Sequence, residues 1–576
     1  MNATLEMPAS AGTAHATLSG AQVLLDTLAE LGVEMIFGYP GGAVLPIYDA
    51  LHGETRMRHI LVRHEQAAVH AAQGYARSTG KVGVVLVTSG PGMSNTTTGL
   101  LDAMSDSIPI LCISGQVALP SIGTDAFQEC DALGISRSVT KWNAQIRDAG
   151  QVRALVLQAH EAAINGRPGP VLLDFPKDLQ QRAALQSALP NARPAKLKSE
   201  PHDAQRLAQA AQMIANAERP VFYGGGGLIN ARPQACKTFA EIVRLSNAPC
   251  TLTLMGLGAF PASAPQWLGI LGMHGTLEAN LAMHHADLIV CVGARFDDRV
   301  TGQLDSFAPH AKVIHFDIDA RSINKVVPAD LSFVGDATEL LAALREHIVP
   351  GHYEAWWKRI EGWRRQDCLH FEDAPHTIAP QALMVQLQKQ LEGRDAIVST
   401  DVGQHQMWAA QHLRFEEPMR WLTSGGAGTM GYGLPAAIGA QLAHPGKTVV
   451  CVSGDASILM NIQELATARQ HRLAVKVVLC NNAHMGMVRQ WQELIHAERY
   501  SHSYNESMPD FVAVAKGFGW QAARVDERGD LDAALKRCLD SDEPYFLDVR
   551  VSATVNCFPM IPAGRGHHEV MLRKKA

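Results

Sequence analysis

The sequence predicts an α/β protein with three doubly wound parallel-sheet domains. Short, continuous apolar runs rich in β-branched residues, such as 449–452 and 474–480, are typical of buried parallel strands, and segments of helical periodicity separate them. At 576 residues the chain is too long for a single hydrophobic core. Two linker-like segments, 188–201 and 349–380, divide it into the predicted domains 19–187, 200–348 and 378–560, with a disordered arm expected over 1–18 and a C-terminal tail over 561–576.

Composition and charge exclude several classes of function. The chain is 47% hydrophobic and 18% charged, as is typical of a globular enzyme. A net charge of −6 without a long basic run argues against nucleic acid as a partner. No apolar run reaches the roughly 18–20 residues that span a bilayer, and residues 1–18 lack the Lys and Arg of a targeting peptide, so we expect a cytoplasmic protein. The ten cysteines are scattered without a C-x-x-C pair, which indicates reduced thiols rather than zinc ligands or disulfides.

The first and third predicted domains share a sequence pattern. Each has a helix of small residues, a Gly-Lys turn, a buried strand, a Ser-Gly turn, a helix and a second strand. The first copy reads GYARSTGKVGVVLVTSGPGMSN…IPILCISGQV and the third domain reads GAQLAHPGKTVVCVSGDASILMN…AVKVVLCNN. We expect right-handed βαβ crossovers in both copies. The similarity indicates an ancient duplication in which SGPG has replaced SGDA, so the first copy lacks the carboxylate.

A carboxylate and an amide follow two predicted neighbouring strands of the third domain. Asp455 and Asn482 both lie where a strand ends, at the edge where open α/β sheets bind ligands. Oxygen-only ligands suit Mg²⁺, which usually takes its remaining oxygens from phosphate. The pattern predicts a Mg²⁺ and phosphate site, although so short a pattern also occurs by chance.

The central domain contains a glycine run, 224–227, between a strand and a helix. Its N–H groups are compatible with a nucleotide pyrophosphate, but the spacing is not G-x-G-x-x-G and favours a tight turn. Asp317 and Asp319 end a later strand, where a carboxylate either holds a ribose or adenine or caps a helix.

Further motifs occur in a characteristic order: FGYPGGAVLPIYDAL…LVRHEQAAVHAAQGYARSTGKVGVV, SGQV…IGTDAFQE, GARFDDRVTG and NNAHMGMVRQWQ. Through them the chain resembles, from about residue 18 to 560, the catalytic large subunit of acetohydroxyacid synthase (acetolactate synthase), a flavin-containing family of thiamine diphosphate enzymes. The resemblance implies a pyrimidine-binding first domain, an FAD-binding-like central domain and a diphosphate- and Mg²⁺-binding third domain. It also implies thiamine diphosphate, Mg²⁺ and FAD as cofactors.

The resemblance implies acetolactate synthesis for branched-chain amino acids. Pyruvate is decarboxylated on thiamine diphosphate, and the hydroxyethyl unit joins pyruvate or 2-ketobutyrate to give 2-acetolactate or 2-aceto-2-hydroxybutyrate. A homodimer or homotetramer with interface active sites is implied, and the resemblance leaves room for a small regulatory subunit. The alternative is a thiamine- and flavin-dependent pyruvate oxidase or a 2-keto acid decarboxylase, neither of which needs to bind a second keto acid.

Five residues match catalytic positions of the family. Glu65, in RHEQ, matches the acid that bonds N1′ of the aminopyrimidine; taken alone, it is also a first-turn carboxylate facing a helix dipole. Arg299, in RFDDR, matches the cation that binds the carboxylate of the second keto acid, and a surface salt bridge is the alternative. Trp491, in VRQWQ, would pack on the acceptor's alkyl group or belong to the core. Gln128 and Lys177 match positions that line the same pocket.

The remaining matches concern cofactors. Asp455, Asn482 and the main-chain carbonyl of His484 match the Mg²⁺ ligands. Met430 matches an apolar wedge that bends thiamine diphosphate, although a lone Met is more often a core residue. The other expected thiamine diphosphate contacts are Gly403, Gln404, His405, Gly428, Gly454, Ala456 and Ser457. The expected FAD contacts are Arg167, Gly272, Met273, His274, Gly293, Arg295, Asp297, Asp317, Ile318 and Asp336.

Overall fold

The computed structural model describes residues 18–184 and 203–574. The predicted arm up to residue 17, the predicted linker 188–201 and the last two residues of the tail lie outside the described residues. The described parts contain three six-stranded sheets, and all the strand pairs in them are parallel. Helices flank each sheet, so the predicted fold class is confirmed.

The first domain has a sheet with the strand order β3-β2-β4-β5-β7-β6, and two further short strands, β1 and β8, pair antiparallel. β4, β5 and β7 are fully buried, because helices cover both faces of a doubly wound sheet. The strands are β1 (Leu18–Ser19), β2 (Met35–Tyr39), β3 (Arg58–Leu61), β4 (Gly83–Val87), β5 (Ile110–Gln116), β6 (Trp142–Gln145), β7 (Val171–Pro176) and β8 (Ala183–Ala184). The helices are α1 (Gly20–Glu30), α2 (Leu45–Leu51), α3 (Glu65–Thr79), α4 (Pro91–Ser94), α5 (Thr97–Asp106), α6 (Ala132–Ser136), α7 (Val152–Ile164) and α8 (Lys177–Gln181).

The central domain has the strand order β11-β10-β9-β12-β13-β14. The chain adds strands towards one edge from β9 to β11 and towards the other edge from β12 to β14, so the order switches between β9 and β12. Such a switch point opens a crevice at the carboxyl ends of the strands. The strands are β9 (Pro220–Gly224), β10 (Cys250–Leu252), β11 (Trp267–Ile270), β12 (Leu288–Val292), β13 (Lys312–Asp317) and β14 (Leu331–Val334). The helices are α9 (Ala204–Asn216), α10 (Gly226–Asn230), α11 (Arg232–Ser246), α12 (Leu277–His285), α13 (Asp298–Thr301) and α14 (Ala337–Arg345).

The third domain follows α15 (Glu354–Arg364), a helix within the predicted second linker whose Trp356 and Ile360 are buried. Its sheet has the strand order β16-β15-β17-β18-β20-β19. The strands are β15 (Ala396–Thr400), β16 (Trp421–Leu422), β17 (Thr448–Gly454), β18 (Lys476–Asn481), β19 (Gln521–Val525) and β20 (Tyr545–Arg550). The helices are α16 (Pro380–Leu391), α17 (Gln404–His412), α18 (Gly433–Ala443), α19 (Asp455–Ile458), α20 (Leu465–Gln470), α21 (Gly486–Leu494), α22 (Phe511–Gly517) and α23 (Leu531–Asp540).

The first and third sheets have the same topology. In both, the second strand along the chain lies at one edge, and the first, third, fourth, sixth and fifth follow in that order. The central sheet has a different order. The repeated sequence pattern therefore corresponds to a repeated fold, as a duplication requires.

Two equivalent helices, α3 and α18, bring the first and third domains together. A Cβ added to Gly74 of α3 would lie 2.0 Å from the carbonyl oxygen of Ala436, and one added to Gly439 of α18 would lie 1.9 Å from that of Ala71. Only glycine permits the two helix backbones to approach this closely. The interface is therefore specified by small residues in both copies.

Two further findings bear on the sequence predictions. All ten cysteines are free thiols, and eight of them are buried. No helix within 18–184 or 203–574 is long and apolar enough to cross a membrane.

Candidate active site

A cavity of about 1760 Å³ lies where the three domains meet. Arg167 of the first domain, Arg295 of the central domain and Gly403 of the third domain all line it. Pockets of this kind, at domain junctions and strand switch points, are the usual ligand sites of α/β proteins. The cavity is larger than a single small substrate needs, so it has room for a large cofactor beside the substrate.

The predicted metal ligands meet at one edge of the third sheet. β17 and β18 are neighbours with Gly454 opposite Cys480, so Asp455 and Asn482 both lie just past the carboxyl ends of adjacent strands. Asp455 Oδ1 accepts the N–H of Ala456 at 2.7 Å, whereas Oδ2 is buried and has no hydrogen-bond partner among the described residues. Burial raises the pKa of Asp455 to about 6. A divalent cation would relieve both features, because it binds the free oxygen and favours the ionised form.

The neighbouring residues bear on which metal fits. Asn482 Oδ1 accepts the N–H of His484 at 3.1 Å, and the ring Nδ1 of His484 lies 2.8 Å from the carbonyl oxygen of Asn482. Within the described ranges no group of three or more His, Cys, Asp or Glu residues is arranged to hold a metal ion. A cation at Asp455 would depend on amide and main-chain oxygens and on a ligand's own oxygens, which suits Mg²⁺ rather than Zn²⁺.

The start of α17 provides polar groups near this edge. Gly403 is the N-cap of α17, and Gln404 and His405 form its first turn. Gln404 Oε1 and His405 Nε2 are buried and have no hydrogen-bond partners within 18–184 and 203–574, and burial lowers the pKa of His405 to about 4. Together with Asp455 Oδ2, three predicted cofactor residues thus present unpaired buried polar atoms. Such atoms are expected where a polar ligand completes the hydrogen bonding, so the residues fit a diphosphate and its metal.

Arg299 and Trp491 come together in the cavity, although they belong to different domains. The guanidinium carbon of Arg299 lies 5.9 Å from the ring centroid of Trp491, and both side chains line the cavity. None of the ion pairs among the described residues involves Arg299, so the surface salt bridge is not found there. Trp491 is partly exposed rather than a core residue. The pair presents a cation beside an aromatic face, which suits a small carboxylate with an alkyl group.

Met430 lies on the loop between β16 and α18, residues 423–432 (the Met430 loop), which also lines this cavity. Gly428 lies on the same loop, and Met430 is half-buried rather than part of the core. Met407 and Met487 line the same cavity. Soft, flexible Met side chains adapt to irregular ligands.

Sequence reasoning missed the two carboxylates that hold the Met430 loop. Asp102 and Asp106 of α5 are buried, and burial raises the pKa of both. Asp106 accepts the N–H groups of Gly425 at 2.9 Å and Gly426 at 2.7 Å, whereas Asp102 accepts the hydroxyls of Ser424 and Thr429. The available signal was two acidic residues four apart on a helix that has no other charged residue.

Nine of the ten expected flavin contacts line the cavity. Arg167, Met273, His274, Gly293, Arg295, Asp297, Asp317, Ile318 and Asp336 all lie in its wall. Gly272 is not among the lining residues, but its neighbours Met273 and His274 are. Burial raises the pKa of Asp317. His274 Nε2 is buried and has no hydrogen-bond partner in the described part of the chain, which again fits a bound polar group.

The structure bears on two alternatives in the central domain, those for the glycine run 224–227 and for Asp319. Gly226 and Gly227 line the cavity, and a Cβ on Gly227 would lie 2.7 Å from the Cα of Gly293. The glycine run therefore forms a tight turn that also faces the cavity. Asp319 caps a short 3₁₀ turn and pairs with Arg321 at 2.9 Å, which matches the capping alternative.

Glu65, Gln128 and Lys177 do not line this cavity. Glu65 begins α3, is 9% exposed and accepts the side-chain amide of Asn95 at 2.9 Å. The carbonyl oxygen of Gln128 packs beside Gly90, on the turn that also approaches Glu65. Lys177 lines a separate cavity of about 570 Å³. One chain therefore does not bring these three side chains to Arg299 and Trp491.

Comparison with known proteins agrees with this architecture. The chain matches three domains of thiamine pyrophosphate enzymes in order. These are the N-terminal TPP binding domain over residues 18–135, the central domain over 207–344 and the C-terminal TPP binding domain over 401–549. The acetolactate synthase isozyme 3 large subunit of Escherichia coli K12 is 46% identical, over 97% of this chain and 99% of its own length.

Other relatives give the same result. The acetolactate synthase large subunit of Haemophilus influenzae is 45% identical, over 97% of this chain and 98% of its own length. That of Parasynechococcus marenigrum is 48% identical, over 96% of this chain and 91% of its own length. With matches of this extent across all three domains, the chain belongs to the acetolactate synthase large-subunit family of thiamine pyrophosphate enzymes.

Proposed function

We propose that this chain decarboxylates pyruvate and joins the resulting two-carbon unit to a second 2-keto acid. With pyruvate or 2-ketobutyrate as acceptor, the products are 2-acetolactate or 2-aceto-2-hydroxybutyrate, precursors of branched-chain amino acids. The observation that supports this most directly is the guanidinium of Arg299, which lies beside Trp491 in the cavity and forms no ion pair with the described residues. A decarboxylase or an oxidase has no second keto acid for this pair to bind.

Thiamine diphosphate, when bound, would supply the carbon nucleophile and the electron sink that the decarboxylation of pyruvate requires. We assign its metal to Asp455, Asn482 and the main-chain carbonyl of His484. Gly403, Gln404, His405 and the first turn of α19, from Gly454 to Ser457, would hold the diphosphate. The unpaired buried atoms of Asp455, Gln404 and His405 support this assignment. Met430 would support the ring system from the loop held by Asp102 and Asp106.

The acceptor is selected by Arg299 and Trp491. The planar guanidinium binds the acceptor's carboxylate with two parallel hydrogen bonds, which orients the keto carbon for attack. The Trp491 ring packs on the alkyl group. One extra methylene contributes about 1–3 kcal/mol at most, so 2-ketobutyrate can be favoured only moderately through this contact.

Glu65 would hold the aminopyrimidine of the cofactor through a hydrogen bond to its ring nitrogen, which would favour the form whose exocyclic nitrogen can accept a proton. Because Glu65 lies outside the cavity of its own chain, we propose that the active site is shared by two copies, as a homodimer or a dimer of dimers. Gln128, which lies on the same side of the first domain, would enter the site from the same copy. Lys177 would follow from the neighbouring β7–α8 junction. An active monomer in gel filtration would contradict this proposal.

FAD would fit the cavity wall beside the central domain, where the charges of Arg167 and Asp317 interact with each other. No redox change is required in the reaction, so FAD would have a structural role here.

We further propose the domain boundaries 19–187, 200–348 and 378–560. The ten free thiols favour a reducing compartment, the cytoplasm. A small regulatory subunit is a further proposed partner.

Product analysis tests the proposed reaction. The purified chain is incubated with pyruvate, Mg²⁺, thiamine diphosphate and FAD, and the products are separated. We expect acetolactate with one CO₂ released for each two pyruvates consumed. Acetaldehyde as the main product would indicate a decarboxylase, and acetate with peroxide an oxidase; either result would overturn the assignment.

A further inference from the structure

The turn that leads into Glu65 receives little support from its own sheet. Among the described strands, β3 lies at the sheet edge and pairs only with β2, and the last pair of that ladder is Leu61 with Gly38. The N–H of Val62 still donates to the carbonyl of Gly38 at 3.2 Å, after which the chain leaves the sheet. Glu65 is the first residue of α3. Its position therefore depends on what holds residues 63 and 64.

Glu464 of the third domain holds this turn. Its Oε1 accepts the N–H of Arg63 at 2.9 Å, and the N–H of His64 also interacts with the same carboxyl group. Oε2 accepts the hydroxyl of Thr467 at 2.6 Å. Glu464 is 1% exposed, and burial raises its pKa to about 7. Burying a carboxyl group opposes folding, and an apolar residue would fill the same space without that cost.

Glu464 is itself fixed in the third domain. It ends the 3₁₀ turn Ile462–Glu464, and its N–H donates to the carbonyl of Asn461 at 3.0 Å. The side-chain amide of Asn461 donates to the carbonyl of Gly431 at 2.7 Å, next to Met430. One short turn thus contacts both the loop that bears Met430 and the turn that bears Glu65.

We propose that Glu464 is a positioning residue for Glu65. This inference rests on the proposed function, in which Glu65 binds the aminopyrimidine of the cofactor. Glu464 does not touch the reacting atoms; by accepting the N–H of Arg63 it determines where α3 begins and where the Glu65 carboxyl points. A displacement of about 1 Å at a reacting group costs on the order of 100-fold in rate.

The test compares three variants. Glu464→Ala removes the acceptor, whereas Glu464→Gln keeps an oxygen where Oε1 lies. Gln470→Ala is the matched control, because Gln470 Oε1 accepts Arg63 Nη2 at 2.7 Å on the surface without touching the Arg63 N–H. We expect Glu464→Ala to lose about 100-fold in kcat with the KM for pyruvate nearly unchanged. Glu464→Gln should stay within about threefold of the parent, and Gln470→Ala should equal it.

Two readouts do not depend on activity. The first is hydrogen exchange at the amides of Arg63 and His64 in the full-length protein without cofactor, where Glu464→Ala should speed exchange and Gln470→Ala should not. The second is affinity for thiamine diphosphate with Mg²⁺, followed by Trp fluorescence, where Glu464→Ala should bind about tenfold more weakly. A Glu464→Ala protein that equals Gln470→Ala in exchange, affinity and kcat would overturn the proposal.

Two further variants keep the result decisive. If Glu464→Ala does not fold, Glu464→Asp is used instead, because its side chain is one methylene shorter and places the carboxyl oxygen farther from the Arg63 N–H. Full activity in that variant, with hydrogen exchange at Arg63 and His64 equal to that of the parent, would also overturn the proposal. Glu65→Gln tests the proposed function separately. If Glu65→Gln forms acetolactate normally, the assigned role of Glu65 fails, and the exchange measurement still decides whether Glu464 holds the turn.

Discussion

Replacing Arg299 with alanine should separate the two halves of the proposed reaction. The guanidinium of Arg299 faces the cavity beside Trp491, and the ion pairs among the described residues do not include it. Removing it therefore leaves no buried partner uncompensated, and we expect the variant to fold normally. Decarboxylation of the first pyruvate does not require the group that binds the second keto acid.

The size of the effect follows from the contact that is lost. A hydrogen bond to a charged group contributes about 1.5–3 kcal/mol, and a guanidinium offers two such bonds to one carboxylate. Arg299 is exposed to the cavity, so the lower end applies and the total is about 3 kcal/mol. At about 1.4 kcal/mol for each tenfold change, acetolactate formation should fall about 100-fold in kcat/KM.

The assay follows CO₂ release and acetolactate formation in the same reaction. Arg299→Ala should retain CO₂ release and accumulate acetaldehyde while acetolactate falls. Arg321→Ala is the control, because the Arg321 side chain is 84% exposed and pairs with Asp319 outside this contact. An equal loss of both products in Arg299→Ala, or unchanged acetolactate, would refute the assigned role.

Three further substitutions test the fold and the site. Burial raises the pKa of Asp174 to about 6, above its unfolded value of about 3.9, so the stability contributed by this group is lost as pH rises through that window. Asp174→Asn should therefore gain stability relative to the parent between about pH 4 and about pH 7, by at most about 3 kcal/mol in denaturation experiments; a pH-independent difference would contradict this. Gly439→Ala should destabilise the domain contact at Ala71 by about 2 kcal/mol and lower Tm, whereas Gly446→Ala, with open space around it, should not. Trp491→Ala should lower the ratio of 2-aceto-2-hydroxybutyrate to acetolactate by up to about tenfold in competition assays, and an unchanged ratio would exclude its role in acceptor choice.

Much of the fold could be predicted because its signals are local. Continuous apolar runs indicated buried parallel strands, and the strand-end rule placed Asp455 and Asn482 at one sheet edge, which the pairing of Gly454 with Cys480 confirms. The repeated helix–strand–turn pattern corresponds to two sheets of identical strand order. Each of these inferences depends on spacing within about 30 residues, where periodicity and turn chemistry largely decide the structure.

The detailed site depended on contacts that no local pattern contains. Three contacts join separate domains. Arg299 lies beside Trp491, Asp102 and Asp106 of α5 accept hydrogen bonds from the Met430 loop, and Arg63 donates to Glu464. The sequence alone therefore determined the strand–helix–strand units, the motifs typical of cofactor binding and the residue types available for chemistry. Which of those residues share one cavity, and that Glu65 is not among them, was decided only by how the helices of different domains pack, because long-range packing depends on the shapes of whole surfaces rather than on neighbours along the chain.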